Sequence, residues 1–233
     1  MTAAHPTILS MRGVSLVGAR GAGVARAFDF DLGRREVAMV EFNDDSDAHY
    51  FVDVCLGLTE PASGEVWCLG RRWAGEGYRA RLAHRSRIAT LVATEAWRAY
   101  VPVAEVVLTP RLYHTREREE VTVAEATALG RRFGLPGLPT GVPETVRRRD
   151  LVRAACVTAF LGAPELVVIA DRALDGIPEL ATAMAQAIGE VQERGGAVLW
   201  MVESFEAPAA RLVVADHALR LRDRSLGPAR RRP

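Results

Sequence analysis

Four runs of apolar residues, each as long as a β-strand, constrain the fold of this chain more than any other feature. Three of them are almost continuously apolar, which is typical of parallel strands covered by helices on both faces of a sheet. The runs are VAMVEF (37–42), RIATLVA (87–93), ELVVIA (165–170) and AVLWMV (197–202). They predict a parallel sheet at the centre of an α/β protein.

Helical patterns lie between these runs. Residues 151–162 and 179–194 are typical of helices, and Gly195-Gly196 ends the second of them. A third helix is predicted after residue 47, where apolar residues fall on one helical stripe. This stripe consists of Tyr50, Phe51, Val54, Cys55 and Leu58.

The remaining segments have a different pattern. Residues 8–32, 64–73 and 217–223 are short and partly alternating, which predicts strands of an antiparallel fringe. Residues from about 95–150 are charged, helical in pattern and interrupted by prolines. We therefore expect one domain over residues 1–233, with an α/β core, an antiparallel β-subdomain and a helical subdomain.

Charge and basic residue type limit what the chain can bind. The net charge of +1 argues against a nucleic-acid partner that is held by bulk electrostatic attraction. All 30 basic residues are arginines, because the sequence contains no lysine. No alignment of this chain can therefore supply the lysine of a phosphate-binding P-loop.

The cysteines and the terminus predict a cytoplasmic protein without a bound metal. Cys55, Cys68 and Cys156 are scattered in apolar stretches, which predicts buried free thiols. No Cys/His spacing is typical of a metal site. The first residues lack the pattern of a signal peptide, and no run is long enough to span a membrane. We expect membrane association only through partners.

The segment VEFNDDSDAHYF, residues 40–51, combines the layout of a phosphate-binding loop with the wrong charge. An apolar strand, a tight polar loop and a helix follow one another, as in a P-loop. The loop carries four carboxylates, those of Glu41, Asp44, Asp45 and Asp47. Asp45, Ser46 and Asp47 are good capping residues for a helix beginning near Asp47, so we expect protein carboxylates to take the electrostatic role of a phosphate.

Several stretches together resemble the nucleotide-binding domain of ATP-binding cassette (ABC) transporters over almost the whole chain. The most specific is CLGLTEPASGEVWCLGRRW (55–73), which is similar to the family pattern GL-x-x-P-x-S-G-E-V-x-x-x-G. LGRREVAMVEFNDD resembles the lead into the Walker A loop, and FLGAPELVVIADRALDG resembles the approach to Walker B. The resemblance implies an ABC ATPase-like fold with a RecA-like P-loop core.

The resemblance places unusual residues at the Walker A positions. Glu41 and Ser46 fall on its glycines, with Asn43, Asp44 and Asp45 between them. Asp47 falls on the lysine that contacts the β- and γ-phosphates, and Ala48 on the hydroxyl residue that binds Mg²⁺. The resemblance thus implies a degenerate Walker A loop.

The other nucleotide motifs depart from the family pattern as well. Ala170 falls on the Walker B aspartate, and Asp171 on the acid that polarises the attacking water. Glu203 falls on the switch histidine. The remaining positions are Val17 for the adenine-stacking aromatic, Ala93 or Thr94 for the Q-loop glutamine, and Val146, Arg147, Arg148, Arg149 and Asp150 for the LSGGQ signature.

Electrostatics then predicts a site without ATP or Mg²⁺. ATP carries about four negative charges, and four carboxylates roughly 5–8 Å from its phosphates would repel it by several kcal/mol at an effective dielectric of about 20. Together with the missing motifs, this repulsion predicts a pseudo-ATPase with no catalytic residues and no cofactor.

Other interpretations of these residues remain open. The acidic loop could be an ordinary capped turn, although this leaves the 55–73 match unexplained; a calcium loop lacks its central glycine and its twelfth-position glutamate. Asp171 and Asp175 could form a hydrolytic carboxylate pair, but a surface loop is the simpler interpretation. The arginines at 147–149 are typical of a solvated face.

At the C-terminus, residues 228–233 form an arginine-rich tail that we expect to be disordered. An anionic membrane surface is the alternative for this tail. Trp97 and Tyr100 follow the Q-loop position, where the resemblance implies a groove for a membrane permease. They are either core residues or permease contacts.

Three functions remain open from the sequence. The first is an inactive ABC subunit that docks on a permease, beside a competent ABC ATPase, at the cytoplasmic face of the membrane. The second is an ATP-binding subunit with a weak or rearranged site that drives transport. The third is a stand-alone interaction protein.

Overall fold

The fold is described by a computed structural model that covers residues 7–17, 24–75, 77–92, 97–170, 174 and 176–229. Within these residues the chain forms ten strands and six α-helices. The strands are β1 (Thr7–Ser15), β2 (Phe28–Gly33), β3 (Val37–Phe42), β4 (Ser63–Cys68), β5 (Arg71–Arg72), β6 (Ile88–Val92), β7 (Leu166–Ala170), β8 (Ala197–Val202), β9 (His217–Arg222) and β10 (Ser225–Pro228). The helices are α1 (Asp45–Cys55), α2 (Tyr78–Arg85), α3 (Val103–His114), α4 (Glu119–Arg132), α5 (Arg148–Phe160) and α6 (Ala181–Glu193).

A six-stranded sheet forms the centre of the domain, in the order β10-β9-β3-β8-β7-β6. All its strand pairs are parallel except the antiparallel pair of β9 and β10. The four apolar runs of the sequence are β3, β6, β7 and β8, so the prediction of a parallel core is confirmed. Their side chains are apolar on both faces because both faces are covered by other elements.

Each face of this sheet packs against a separate hydrophobic core. Ala38 and Val40 of β3 pack with α1 and with the strands of a second sheet. Val37 and Met39 point to the other face and pack with α5 and α6. The alternation along β3 therefore decides which side chains can reach the helix that follows it.

The second sheet is antiparallel, in the order β2-β1-β4-β5. It confirms the predicted fringe, with narrower bounds: residues 8–32 contain two strands, β1 and β2, and residues 64–73 contain β4 and the short β5. Helices α3 and α4 lie in the predicted helical segment 95–150. Helix α5 packs on both of them and on β6, and it begins at Arg148 rather than at residue 151.

The prediction of a disordered tail is wrong for Pro228 and Ala229. Strand β10 includes Pro228, and the N–H of Ala229 donates to the carbonyl of Ala218 at 2.9 Å. The reason is a two-residue turn, Asp223-Arg224, that folds β10 back on β9. Residues 230–233 lie outside the described residues.

Candidate functional site

The acidic loop lies at the carboxyl edge of the parallel sheet. Strand β3 ends at Phe42, and helix α1 begins at Asp45. Strand β7 ends at Ala170, and Glu203 directly follows β8 at the same edge. In open α/β sheets ligands bind at the carboxyl ends of the strands, and the topology brings three of the predicted motif positions to this edge.

Asp44 is the N-cap of α1. Its Oδ1 accepts hydrogen bonds from Ser46 N at 2.8 Å, Asp47 N at 3.2 Å and Ser46 Oγ at 2.5 Å. The N–H of Ala48 donates to the carbonyl of Asp44 at 3.1 Å. A carboxylate of the chain thus takes the N–H groups that a helix start offers to an anion.

The cap assignment made from the sequence is corrected by this geometry. The helix begins two residues earlier than expected, so that Asp45, Ser46 and Asp47 belong to its first turn. Asp45 and Ser46 are exposed, while Asp47 and Ala48 are buried. The general expectation that a protein carboxylate satisfies the helix start is confirmed, with Asp44 in that role.

Asp47 forms a largely buried ion pair with Arg224. Its Oδ1 lies 2.6 Å from Arg224 Nε, and the two side chains are only 8% and 14% exposed. Arg224 Nη1 also donates to the carbonyl of Val17 at 2.5 Å, and its guanidinium lies 4.7 Å from the ring centre of Tyr50. The position that the resemblance assigns to the P-loop lysine therefore holds an acid, whose partner comes from the far end of the chain.

The backbone of Arg224 is in an unusual conformation. Asp223 and Arg224 have φ angles of 48° and 58°, the left-handed pair expected of a type I′ hairpin turn. Glycine or asparagine is the preferred residue at such positions, because a longer side chain is disfavoured there. The arginine is nevertheless held there by its contacts to Asp47, Val17 and Tyr50.

Glu41 does not share a site with the aspartates. It lies two residues after Met39, and both line a groove of about 830 Å³ on the α5–α6 side of the sheet, with Phe205 and Val213. Its carboxylate pairs with Arg220 of the neighbouring strand at 3.3 Å. The expectation of four carboxylates around one phosphate position is therefore wrong for Glu41, because strand alternation turns its side chain away from α1.

The other predicted motif positions are only partly described. Ala170 packs against the core on the α1 side, and Glu203 is exposed. Asn43 is exposed in the loop. The residues predicted for the water-polarising acid and the Q-loop, Asp171 and residues 93–94, lie outside the described residues.

The arginines at the signature position already have partners within the chain. Asp150, in the first turn of α5, is buried and accepts from Arg147 Nε at 2.9 Å and from Arg153 Nη1 at 3.0 Å. Arg149 pairs with Glu179 at 3.4 Å, and Arg148 is exposed at the start of the helix. Arg148 and Arg149 lie in the first turn of α5 and Arg147 is its N-cap residue, so all three are on a different element from the loop before α1.

Trp97 and Tyr100 differ in their environments. Trp97 is half-buried and packs against the core that includes α5 and α6. Tyr100 is 75% exposed. Only Tyr100 therefore offers most of its side chain to a partner.

Sequence comparison finds no match for this chain, either among protein-family models or among curated proteins. Solved structures do match. The ATP-binding subunit of an ABC transporter superposes with a TM-score of 0.76 at 19% identity, covering 95% of this chain and 90% of its own. A dimeric bacterial ABC transporter cassette gives 0.81 at 13% identity, covering 94% and 98%.

A third similar structure is cbiO1 of Clostridium perfringens, described as part of the ABC transporter complex cbiONQ. It has a TM-score of 0.74 at 12% identity, and the match covers 95% of this chain and 87% of that one. The chain therefore has the fold of an ABC transporter ATP-binding cassette, as the sequence predicted. Separately, none of the helices in the described part of the chain is both long and apolar enough to cross a bilayer.

The residues of the site do not fit Mg-ATP, the ligand that this fold implies. The N–H groups of Ser46 and Asp47 are bonded to Asp44, and Asp47 is bonded to Arg224. Ala48 and Ala170 carry no side-chain oxygen that could bind Mg²⁺. Among the described residues, no group of three or more His, Cys, Asp and Glu side chains could hold a metal ion.

Sequence reasoning missed two residues of this arrangement. The sequence places Tyr50 on the apolar stripe of α1 and indicates no role for Arg224. The turn itself has a signal, because Asp223-Arg224 interrupts the alternation of LRLRDRSL. Nothing in the sequence shows that its arginine reaches an aspartate 177 positions earlier.

Proposed function

We propose that this protein is a catalytically inactive ABC ATPase-like subunit that docks on a membrane permease and serves as a structural or regulatory component of the transporter. One observation carries the proposal. The phosphate-binding start of α1 is filled by the chain itself, through the cap from Asp44 and the ion pair of Asp47 with Arg224.

Charge supports the absence of nucleotide. With Glu41 turned away, Asp44, Asp45 and Asp47 remain at the helix start, and they still oppose the charge of a triphosphate. Arg224 offsets one of these charges, but its guanidinium is already bonded to Asp47 and Val17. A phosphate would have to displace these bonds and would find no lysine in the chain.

The fold and Tyr100 support docking on a permease. The similar structures include an ABC transporter subunit and a component of a transporter complex. We infer that this chain likewise sits at the cytoplasmic face of the membrane through such a partner, with the exposed Tyr100 as a candidate contact. Because this chain lacks a usable phosphate site, a competent ATPase subunit beside it would supply the ATP-driven step.

The proposal is tested by purifying the tagged chain from detergent-solubilised membranes and identifying the proteins that co-purify with it. We expect a complex that also contains a second, competent ATPase. A structure with a non-hydrolysable ATP analogue should show nucleotide on the Walker A loop of that second ATPase. Two copies of this chain alone beneath the permease, or nucleotide on residues 41–49, would overturn the proposal.

Replacing Tyr100 by aspartate should weaken recovery of the membrane subunit, because a charge would be placed in a buried contact. Tyr113→Asp is the matched control, since Tyr113 is also exposed but lies at the far end of α3. Equal recovery with both variants would remove Tyr100 from the docking surface.

A further inference from the structure

We propose that Arg224 is a built-in lock of the degenerate P-loop, which holds the start of α1 in place without any ligand. The inference deepens the proposed function of this same site. In this proposal the guanidinium of Arg224 supplies the positive charge that a P-loop lysine would bring to the start of α1. The C-terminal hairpin, which carries Arg224, is then part of the site.

The lock joins three elements that are distant in sequence. Arg224 lies in the turn between β9 and β10, and it bonds Asp47 in the first turn of α1. Its second bond, at 2.5 Å, goes to the carbonyl of Val17, just beyond the end of β1. Tyr50 of α1 adds two hydrogen bonds beside this contact. Its hydroxyl accepts from Val17 N at 3.5 Å and donates at 3.4 Å to the carbonyl of Glu60, between α1 and β4. One guanidinium thus ties the helix start to both sheets.

Burial makes this contact more than a surface ion pair. Exposed pairs contribute little to stability, because water and salt screen them. Asp47 and Arg224 are both nearly covered, so that removing one would leave the other charge without compensation in a poorly solvated position. The ring of Tyr50 under the guanidinium adds a cation–π contact.

The strained backbone of Arg224 supports a role for its side chain. A left-handed conformation is unfavourable for a residue with a long side chain, and glycine would relieve it. The turn would therefore form more easily without the arginine. The side-chain contacts must outweigh this backbone cost, which predicts that Arg224→Gly is less stable than the parent although its turn is relaxed.

The experiment compares the thermal unfolding of the parent with Arg224→Ala and Arg224→Gly. We expect Arg224→Ala to lower Tm by about 10 °C and Arg224→Gly by somewhat less. Arg222→Ala is the control, since Arg222 is mostly exposed and its carboxylate neighbour, Glu41, lies 4.0 Å away. A Tm for Arg224→Gly equal to or above that of the parent would overturn the lock.

Chemical rescue distinguishes the loss of the guanidinium contacts from a general destabilisation by the substitution. The space left by Arg224→Ala should accept methylguanidinium at millimolar concentration, which would raise the Tm of this variant but not that of the parent or of Arg222→Ala. Methylammonium at the same concentration should rescue less, because it cannot bond Asp47 and Val17 together. Equal effects of methylguanidinium on all proteins would overturn the proposal.

A second variant keeps the test independent of global folding. In Asp47→Asn the pair is neutralised on one side, and the amides of α1's first turn should exchange hydrogen faster while those of α5 do not change. Unchanged exchange at α1 would contradict the lock.

Mg-ATP titration of the parent tests the proposed function separately. Tight ATP binding would contradict the proposal of an inactive ATPase, whereas the change in Tm reports on the lock itself.

Discussion

A single carboxylate oxygen organises the start of α1. Asp44 Oδ1 accepts from two backbone N–H groups and one hydroxyl, which are the kinds of donor that a bound phosphate oxygen would use. The short aspartate side chain reaches them because it sits at the N-cap with an extended backbone. The anion that the helix dipole favours at this end is therefore a side chain of the protein itself.

The cap predicts a graded effect of substitution at residue 44. Asp44→Ala should lower the free energy of unfolding by about 1 kcal/mol, because the N–H groups of Ser46 and Asp47 lose their acceptor. Asp44→Asn should cost only a few tenths of a kcal/mol, since asparagine is also a good cap. Urea denaturation measures both. Asp45→Ala, in the first turn but not at the cap, is the control, and a loss there as large as in Asp44→Ala would contradict the assignment.

At the residue scale the sequence shows that a P-loop lysine is missing, but it does not show which residues lie at the start of α1 in its place. The absence of lysine is a matter of composition and needs no alignment. The sequence does not identify the cap of α1, because aspartate is a good capping residue and occurs at positions 44, 45 and 47. Only the first helical residue decides among them, and helix ends are hard to place from sequence.

Helix α1 is anchored at both ends by side chains from other elements. Arg224 holds the first turn through Asp47. At the other end, Trp73 Nε1 donates to the carbonyl of Cys55 at 2.9 Å, and Arg85 Nη2 donates to that of Gly57 at 2.6 Å. The last turn of α1 contains no basic residue, so these donors complete its C-terminus.

Close packing at the end of α1 predicts that Gly57→Ala is strongly destabilising. Gly57 has a φ of 62°, and an added Cβ would lie 2.4 Å from the ring of Trp73. We expect a loss of roughly 2–3 kcal/mol in the free energy of unfolding. Gly70→Ala separates the two causes, because Gly70 also has a positive φ, 80°, but has no atom within 4 Å of an added Cβ. Equal losses in the two variants would show that the contact with Trp73 contributes nothing.

The ion pairs of Glu165, which directly precedes β7, predict that the protein loses stability in acid. A hydrogen bond from Arg87 Nε at 2.6 Å, together with the charges of Arg87 and Arg34, lowers the pKa of Glu165 against the opposing effect of partial burial. A lowered pKa in the folded state means that the stabilisation is present above the unfolded value of about 4.3 and is lost as the pH falls through the folded pKa.

Glu165→Gln should therefore flatten the loss of stability below about pH 4.3. Its effect near neutral pH should be about 1 kcal/mol or less, because the pair is partly exposed and screened. Urea titrations at several pH values measure it, with the exposed Glu193→Gln as the control. A Glu165→Gln protein with the same acid profile as the parent would contradict this role.

At the element scale the sequence predicts the sheet and its layers well. The runs that became β3, β6, β7 and β8 are apolar on both faces, and this pattern has few other solutions. The hairpin formed by β9 and β10 was not predicted in full, because its edge strand is short and contains Pro228. The contact from its turn to Asp47 depends on tertiary geometry, which local patterns do not encode.

Across the whole molecule, fold and site chemistry are separate properties. The two hydrophobic cores on either side of the sheet fix the architecture, and they do not involve the polar residues of the loop. The cassette fold is present at 12–19% identity to the solved structures, while the start of α1 is capped by Asp44 and Asp47 is paired with Arg224. Glu41 illustrates this separation. Strand β3 carries this acid near its end, yet its other side chains still alternate between the two hydrophobic cores.

The most direct test is calorimetric titration of the purified protein with Mg-ATP. Because Asp44 already accepts from the N–H groups at the start of α1 and the guanidinium of Arg224 is already bonded to Asp47 and Val17, we predict a Kd no tighter than about 1 mM and no ATPase activity above background. Asp47→Lys should not restore either property, since Ala48 and Ala170 still lack Mg²⁺ ligands. Binding of Mg-ATP with a micromolar Kd would contradict the proposed inactive site.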